Sequence, residues 1–422
     1  MMEKIKISGR PNLRLKGRVK ISGAKNAGLP AITASLLTKE KIKLKNVPRV
    51  KDVFTILTLV EGLGADYNLR RNSLSIQIKK IKSDEASYDL VRAMRASILV
   101  LGPLLARHGK AVVALPGGCA IGTRPTDLHT SGFEKLGAKI TLEHGYIKAE
   151  AKKLVGQDIT FERKTVGGTE NLVMAACLAQ GETVLRNCSL EPEVENLCKL
   201  LIKMGAKIDG LGEETIRIIG VDELGGATHS VIPDRIEAGT FLIAGALTRG
   251  DITLTKVQPN HISTIIQKLC SAGARIDKIN SHTLRIRGCQ DILPQDIITS
   301  AYPGFPTDLQ APFTVLMTQA EGVSIITETI FDRRFSHINE LQRLGANIEI
   351  SGDKATVKGK TPLSGAEIIA TDLRAAASLV LAGLIARGET FISEPEHLDR
   401  GYENFEEKLK NLGVKIERIK ID

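Results

Sequence analysis

Leu341-Gln-Arg-Leu-Gly-Ala-Asn-Ile-Glu-Ile-Ser-Gly-Asp-Lys-Ala-Thr-Val-Lys358 reads as the end of an amphipathic helix followed by a hairpin. Gly345 stands where a helix needs a C-cap, and two alternating stretches, A-N-I-E-I and K-A-T-V-K, flank Ser351-Gly352-Asp353. The same phrase recurs five more times, as L-G-A-D at 63–66, L-G-A-K at 136–139, M-G-A-K at 204–207, A-G-A-R at 272–275 and L-G-V-K at 412–415. The six glycines (64, 137, 205, 273, 345 and 413) follow one another at steps of 73, 68, 68, 72 and 68 residues. Spacing this even marks an internal repeat, which outranks local propensity as evidence for the fold.

Each unit reads alike: an apolar helix, a β-branched strand, a loop that often carries proline, a second amphipathic helix ending on the glycine phrase, and a hairpin. Solenoid repeats are usually shorter and stack in a line. Six units of about seventy residues fit two closed groups of three better. The expected fold is therefore α/β, with residues 24–231 forming one domain and residues 1–23 plus 232–422 the other. The opening strand, Lys4 to Ser8, has no helix partner in the first unit and is expected to pair with the last group. The chain then crosses between domains twice, and the crossings act as a hinge.

Composition narrows the function. At 422 residues and 42% hydrophobic, with no Trp and 4% aromatics, the chain can bury large aliphatic cores. Its six cysteines have no C-x-x-C pairing, so neither a zinc site nor a disulfide framework is indicated. The start, M-M-E-K-I-K-I-S-G-R, lacks the apolar stretch of a signal peptide, and runs such as Ala375 to Ala386 are too short to span a bilayer. A cytoplasmic protein without membrane insertion is expected. The net charge of +10 raises nucleic acid as a partner, but the lysines are scattered among acids and stacking aromatics are few. A basic repeat protein that binds nucleic acid is the weaker alternative; arginines converging on a small polyanion are the stronger one.

Chemistry collects at two places in the repeat. In P-G-G-C-A-I-G-T-R-P-T-D (116–127), Cys119 lies among Gly117, Gly118 and Gly122 and is followed by Arg124, a cation that favours a thiolate and can hold an anion. The other five cysteines read as small buried hydrophobes, with Cys198 and Cys270 on apolar helix faces. First-helix starts carry Lys25 and Asn26, Arg95, Asp308, and Asp372 with Arg374; strand-to-helix loops carry Cys119 with Arg124, Arg333 with Arg334, and Asp399 with Arg400. Helix N-termini offer free N–H groups, so both sets suit anions. Asp308 and Asp372 also fit simple N-caps. His129 is either a surface group or a substrate contact. No P-loop, dinucleotide fingerprint, serine elbow or histidine metal motif is present, and no cofactor is expected.

The segments I-S-G-A-K-N-A, M-R-A-S, L-P-G-G-C-A-I-G-T-R-P-T-D-L-H, P-D-R-I-E-A-G-T-F, F-P-T-D-L-Q, T-E-T-I-F-D-R-R-F, T-D-L-R-A-A-A-S-L-V-L-A-G and D-R-G-Y-E closely resemble the UDP-N-acetylglucosamine 1-carboxyvinyltransferases, the enolpyruvyl transferase family of peptidoglycan synthesis. The likeness runs over essentially the whole chain, and the cysteine loop is its most specific part, since the related shikimate-pathway enzymes lack it. It implies an inside-out α/β barrel fold in two domains, three units each, with the active site in the cleft between them. It implies that phosphoenolpyruvate and UDP-N-acetylglucosamine are the substrates, with shikimate 3-phosphate as the alternative acceptor. The resemblance further implies Cys119 as proton donor to C3, Asp308 as base near the sugar hydroxyl, and Lys25, Arg124 and Arg400 as phosphate ligands. Arg374 would lie near the carboxylate or the ketal, and Asn26 would touch the substrates. The nucleotide-sugar would meet Arg95, the stretch Arg124-Pro125-Thr126-Asp127-Leu128, the stretch Arg163-Lys164-Thr165-Val166, and Ile330, with Arg334 assisting. Around residues 163–168 the chain departs from the family's usual Ser-Val-Gly-Ala-like run; Arg163 and Thr165 keep a cation and a hydroxyl there.

Overall fold

The hairpin of the repeat forms as its alternation dictates: Ile348–Ser351 pairs antiparallel with Lys354–Lys358, Ile350 opposite Ala355, around Gly352 at φ 61°. Val323–Thr327 lies antiparallel on the other side of Lys354–Lys358, and the two-residue strand Ile297–Ile298 runs parallel at the edge. This computed structural model describes residues 2–86, 88–115, 126–332 and 334–421. Cys119, Arg124, Pro125 and Arg333 therefore lie outside the described residues.

Six four-stranded sheets share that plan. Each unit adds a short parallel strand ahead of its first helix, such as Asp158–Thr160 or Glu367–Ile369, that the sequence pattern does not reveal. Except for Lys16–Lys20 these strands have only two or three residues, too few to show alternation. The glycine phrase does what its position demands: Gly64, Gly137, Gly205, Gly273, Gly345 and Gly413 all have φ between 93° and 114°, a region β-carbons disfavour.

Two compact units result, one built from the residues up to Ser22 together with those from Pro233 on, the other from Gly23 to Ile232. Each has its own aliphatic core, and in each the first helix of every repeat is the buried one. Arg235–Leu247, Gln310–Met317 and Leu373–Ile385 are buried nearly throughout in the first unit, and Gln310–Met317 packs on both of its fellows. Sheets and amphipathic helices wrap those inner helices, which is an inside-out α/β barrel.

Three strands fill places far from their own sequence neighbours. Met2–Gly9 lies between Gly388–Ser393 and Ile416–Ile421, antiparallel to both, completing the sixth sheet as expected for the opening strand. Lys16–Lys20 supplies the parallel strand of the fourth sheet beside Asp251–Thr255, and Thr228–Ser230 supplies that of the first beside Ile42–Lys45. Both exchanges occur next to the chain crossings at residues 22–23 and 232–233. No helix among the described residues is long and apolar enough to cross a membrane.

Candidate active site

In the unit that includes residues 233–421, three candidates meet. Asp308 sits in the single turn Thr307–Leu309 ahead of the buried helix Gln310–Met317. Its Oδ1 accepts from Arg334 Nη2 at 2.6 Å and its Oδ2 from Arg374 Nη2 at 2.8 Å. Burial alone would raise the Asp308 pKa, but Arg374 and Arg334 overcome it and hold the carboxyl well below the usual carboxylate range. Two guanidiniums only 6% exposed are thus gathered on one acid, with N–H donors to spare for an anion. The Arg374 guanidinium also stacks 5.4 Å from the Tyr402 ring centroid, and Tyr402 shares a hydrogen bond of 2.9 Å with Thr240.

The two aspartates at helix starts separate here. Asp372 is an N-cap, accepting from the backbone N–H of Arg374 at 2.7 Å and of Ala375 at 3.1 Å. Asp308 makes no cap; its oxygens go to the arginines. The same contacts give Arg334 and Arg374 an acidic partner 26 and 66 positions away along the chain.

Glu328, joined to this candidate site through Thr307, was not singled out from the sequence. It is buried, accepts from Thr299 and Thr307 hydroxyls at 2.9 and 2.8 Å, and from the backbone N–H of Ile330 at 2.8 Å and Phe331 at 3.2 Å. Thr307 in turn accepts from Arg334 Nη1 at 2.9 Å. Glu328 thus shapes the loop that carries Ile330, whose side chain is 41% exposed. An acid two residues before an exposed isoleucine in T-E-T-I-F-D was the available signal. Arg400 follows the short helix Glu396–Asp399 and is half-buried, while Asp399 is taken up by Arg418 at 2.8 Å.

In the unit spanning 23–232, Lys25 opens the helix Lys25–Thr33 without a side-chain cap, and its Nζ donates to Asp52 Oδ2 at 3.0 Å. Asp52, buried at the start of Lys51–Gly62, is a second partner that the sequence did not announce. Asn26 follows, half-buried, and Arg95 begins the turn Arg95–Val100. Thr126 precedes the helix Asp127–Lys135 and Leu128 is buried within it. Asp127 takes Arg163 Nη2 on both oxygens, at 2.7 and 2.8 Å, and Lys164 Nζ donates to Glu214 at 2.6 Å. Both cations expected at the nucleotide segment therefore have carboxylate partners. Thr165 caps the helix Val166–Ala176, its Oγ1 accepting from Gly168 N at 3.2 Å.

His129 is resolved as a buried group. Asn171 is oriented by accepting from Gly102 N at 2.8 Å, so its Nδ2 donates to Ile98 O at 2.9 Å and to His129 Nδ1 at 3.1 Å. That leaves the proton on Nε2, and burial pushes the imidazole pKa down to about 4, so the ring is neutral. A β-carbon at Gly167 would lie 3.5 Å from that Nε2, which places the imidazole N–H against the start of the helix Val166–Ala176. Free N–H groups, a hydroxyl and an imidazole donor lie together there, a set of donors that suits an anion.

The remaining cysteines divide. Cys177, Cys188 and Cys198 are buried, and burial raises all three thiols, Cys188 and Cys198 to about 12. Cys270 is exposed and Cys289 half-buried, which corrects their reading as buried hydrophobes. Cys270 sits near the C-terminus of Ser263–Ser271, where the apolar face is carried by Ile265 and Leu269 instead.

The chain is similar to known proteins over nearly its whole length. Residues 10–409 match the family model of EPSP synthase (3-phosphoshikimate 1-carboxyvinyltransferase). The chain is 54% identical over 422 residues to a UDP-N-acetylglucosamine 1-carboxyvinyltransferase of Koribacter versatilis, covering 99% of this chain and 97% of that one. It is 51% identical over 420 residues to the protein of that name from Geobacter metallireducens, covering 99% and 100%. Among solved structures, the enolpyruvyl transferase NikO from Streptomyces tendae superposes with a TM-score of 0.88 at 24% identity, over 99% of both chains. An EPSP synthase from Acinetobacter baumannii gives 0.76 at 20% identity, over 99% and 100%; both likenesses speak to the fold.

Proposed function

Because the chain belongs to the UDP-N-acetylglucosamine 1-carboxyvinyltransferases, a branch of the EPSP synthase family, we propose that it transfers the enolpyruvyl group of phosphoenolpyruvate to the 3-hydroxyl of UDP-N-acetylglucosamine. Phosphate is released, and the step commits the sugar to peptidoglycan synthesis. Identity above one half across 99% of the chain carries this reading and favours the nucleotide-sugar over shikimate 3-phosphate as acceptor. Both substrates are multiply charged metabolites, so the reaction belongs in the cytoplasm.

The sugar oxygen adds to C2 while C3 takes a proton, giving a tetrahedral ketal; C3 then returns a proton as the C2–O bond to phosphate breaks. Cys119 supplies the proton to C3, and Asp308 receives the one from the sugar hydroxyl. Held by two arginines, Asp308 is a poor base. An arriving carboxylate or phosphate that draws N–H donors of Arg374 and Arg334 to itself restores its proton affinity, so anion binding switches the base on. Lys25, Arg124 and Arg400 neutralise the phosphate, and Asn26 orients the substrates. Arg95, Pro125, Thr126, Asp127, Leu128, Arg163, Lys164, Thr165, Val166 and Ile330 hold the nucleotide-sugar, the diphosphate lying at the helix start beside Thr165.

Phosphate release from phosphoenolpyruvate, followed with and without UDP-N-acetylglucosamine, tests the reading: release that depends on the nucleotide-sugar supports it, and release driven by shikimate 3-phosphate overturns it. Cys119→Ala is expected to abolish turnover while the nucleotide-sugar still binds. Cys119→Asp should retain activity, since a carboxylic acid also donates a proton; an inert Asp variant counts against the proton-donor role.

A further inference from the structure

The Asp308–Arg334 pair is held from behind by an acid that no step of the reaction uses. Glu328 is 3% exposed and directly follows the strand Val323–Thr327. Its Oε1 accepts from the Thr299 hydroxyl and from the backbone N–H of Ile330 and Phe331, and its Oε2 accepts from the Thr307 hydroxyl. Thr299 is pinned in turn: its Oγ1 accepts from Thr329 N at 2.9 Å, and its carbonyl accepts from the Thr329 hydroxyl at 2.5 Å. A threonine hydroxyl has a single hydrogen to give. With that hydrogen on Glu328, the Thr307 oxygen accepts on its other side, and there it takes Arg334 Nη1 at 2.9 Å. Arg334 Nη2 reaches Asp308 Oδ1 at 2.6 Å, so hydrogen bonds run from the guanidinium toward an acid at each end. The same guanidinium stacks 5.2 Å from the Phe331 ring centroid, and Phe331 is held by its N–H on Glu328.

We propose that Glu328 is a positioning residue for enolpyruvyl transfer: through Thr307 and Phe331 it fixes the Arg334 guanidinium against Asp308, and through the Ile330 N–H it fixes the loop at the nucleotide-sugar. This inference rests on the proposed reaction for what Arg334 and Ile330 touch. Three contacts hold the guanidinium, to Asp308, Thr307 and Phe331, and two of the three trace to Glu328. An arginine that hands N–H donors from Asp308 to an arriving anion must keep its plane while one bond changes partner. Thr307 gives that plane a second hold, a neutral one that does not rival the anion in charge. The same acid thus sets the loop at the nucleotide-sugar and the guanidinium that tunes the base. Glu328 and Arg334 are only 3% and 5% exposed, so a donor deprived of its acceptor between them finds little water instead.

Kinetics and nucleotide-sugar binding of full-chain variants decide it. Thr307→Val, of nearly the same size but without the hydroxyl, should lower kcat about tenfold and leave the Kd for UDP-N-acetylglucosamine within about twofold, because only the hold on Arg334 is lost. Thr307→Ser keeps the hydroxyl and should bring kcat back to within about threefold of the wild type. Glu328→Gln accepts on one side only; its amide oxygen serves Thr299 and the loop, its NH2 faces Thr307, and kcat should fall as in Thr307→Val. Combining Glu328→Gln with Thr307→Val should then cost no more than either change alone, within about twofold, since both act through Arg334. Glu328→Ala frees the loop as well and should weaken the Kd about tenfold. A Val variant with wild-type kcat, or one whose Kd weakens as much as its kcat falls, overturns the proposal. So do a Ser variant as slow as Val, single losses that multiply in the double variant, and an Ala variant that binds as the wild type does. If Glu328→Ala does not fold, the other variants still decide. Should the wild type show no nucleotide-sugar-dependent phosphate release, the proposed reaction fails instead. Nitrogen NMR of the arginine side chains then decides the geometry alone: Arg334 should give separate Nη1 and Nη2 signals that merge in Thr307→Val, and signals already merged in the wild type refute the hold.

Discussion

F-P-T-D-L-Q and A-T-D-L-R-A look interchangeable, an aspartate opening a buried helix in each. Their structural fates differ because Asp308 faces two arginines and Asp372 faces free backbone N–H groups. Removing a cap costs about 1 kcal/mol, so Asp372→Ala should lower the unfolding free energy by that amount. Removing one partner from a buried ionic cluster costs about 3 kcal/mol or more, because the guanidiniums stay behind uncompensated. Urea titrations should therefore rank Asp308→Ala as much the more damaging; equal losses would mean that the arginines are already solvated. The pH sign follows from the same contacts. A carboxyl depressed in the folded state stabilises it above the unfolded pKa of about 3.9, and that contribution disappears as pH falls through the lower folded value. Asp308 should thus protect the fold fully at pH 5 and progressively less below pH 4. Sequence singled out Asp308, Lys25 and Arg374 as candidates because unusual residues recur at equivalent places in a repeat. Asp52 and Glu328 stayed hidden since their roles depend on partners distant in the chain.

Elements were legible where a pattern is long enough to repeat itself. The amphipathic helices, the hairpins and the glycine that ends each helix all follow from periodicity and one backbone requirement. The parallel edge strands, such as Ile297–Ile298, carry no pattern of their own and exist because a neighbouring strand offers unpaired backbone groups. The repeated glycines allow a test of conformation apart from packing. At Gly205, φ is 105° and a β-carbon would meet nothing within 4 Å. Gly205→Ala should therefore cost only backbone strain, about 1 to 2 kcal/mol. At Gly64, φ is 114°, but a β-carbon would also come within 2.6 Å of the Lys80 carbonyl oxygen. Gly64→Ala should be clearly worse in thermal melts of the two variants. Matching losses would show that strain alone sets the residue at this point of the repeat.

At the scale of the molecule, period and count pointed to two groups of three, while the strand exchanges that complete them were only partly readable. Lys4 to Ser8 betrayed itself as a strand without a helix; Lys16–Lys20 and Thr228–Ser230 did not, because each completes a sheet whose other strands lie far along the chain. The exchanges have an asymmetric consequence. All twelve strands of the first three sheets lie between residues 23 and 232, so that segment contains everything its core requires. Residues 233–422 lack Met2–Gly9, an interior strand of the sixth sheet, and Lys16–Lys20. With them go the buried side chains Ile5, Ile7, Leu15, Val19 and Ile21. At about 2 kcal/mol for each large aliphatic group removed from water, the loss is on the order of 10 kcal/mol, the size of a whole domain's stability. Residues 23–232 expressed alone should accordingly unfold in one cooperative transition by circular dichroism. Residues 233–422 alone should show no such transition, and should regain it when residues 1–22 are joined through a flexible linker after residue 422, where Ile416–Ile421 already lies beside Met2–Gly9. A cooperatively folded 233–422 segment would mean that the opening strands decorate the sheet instead of completing it.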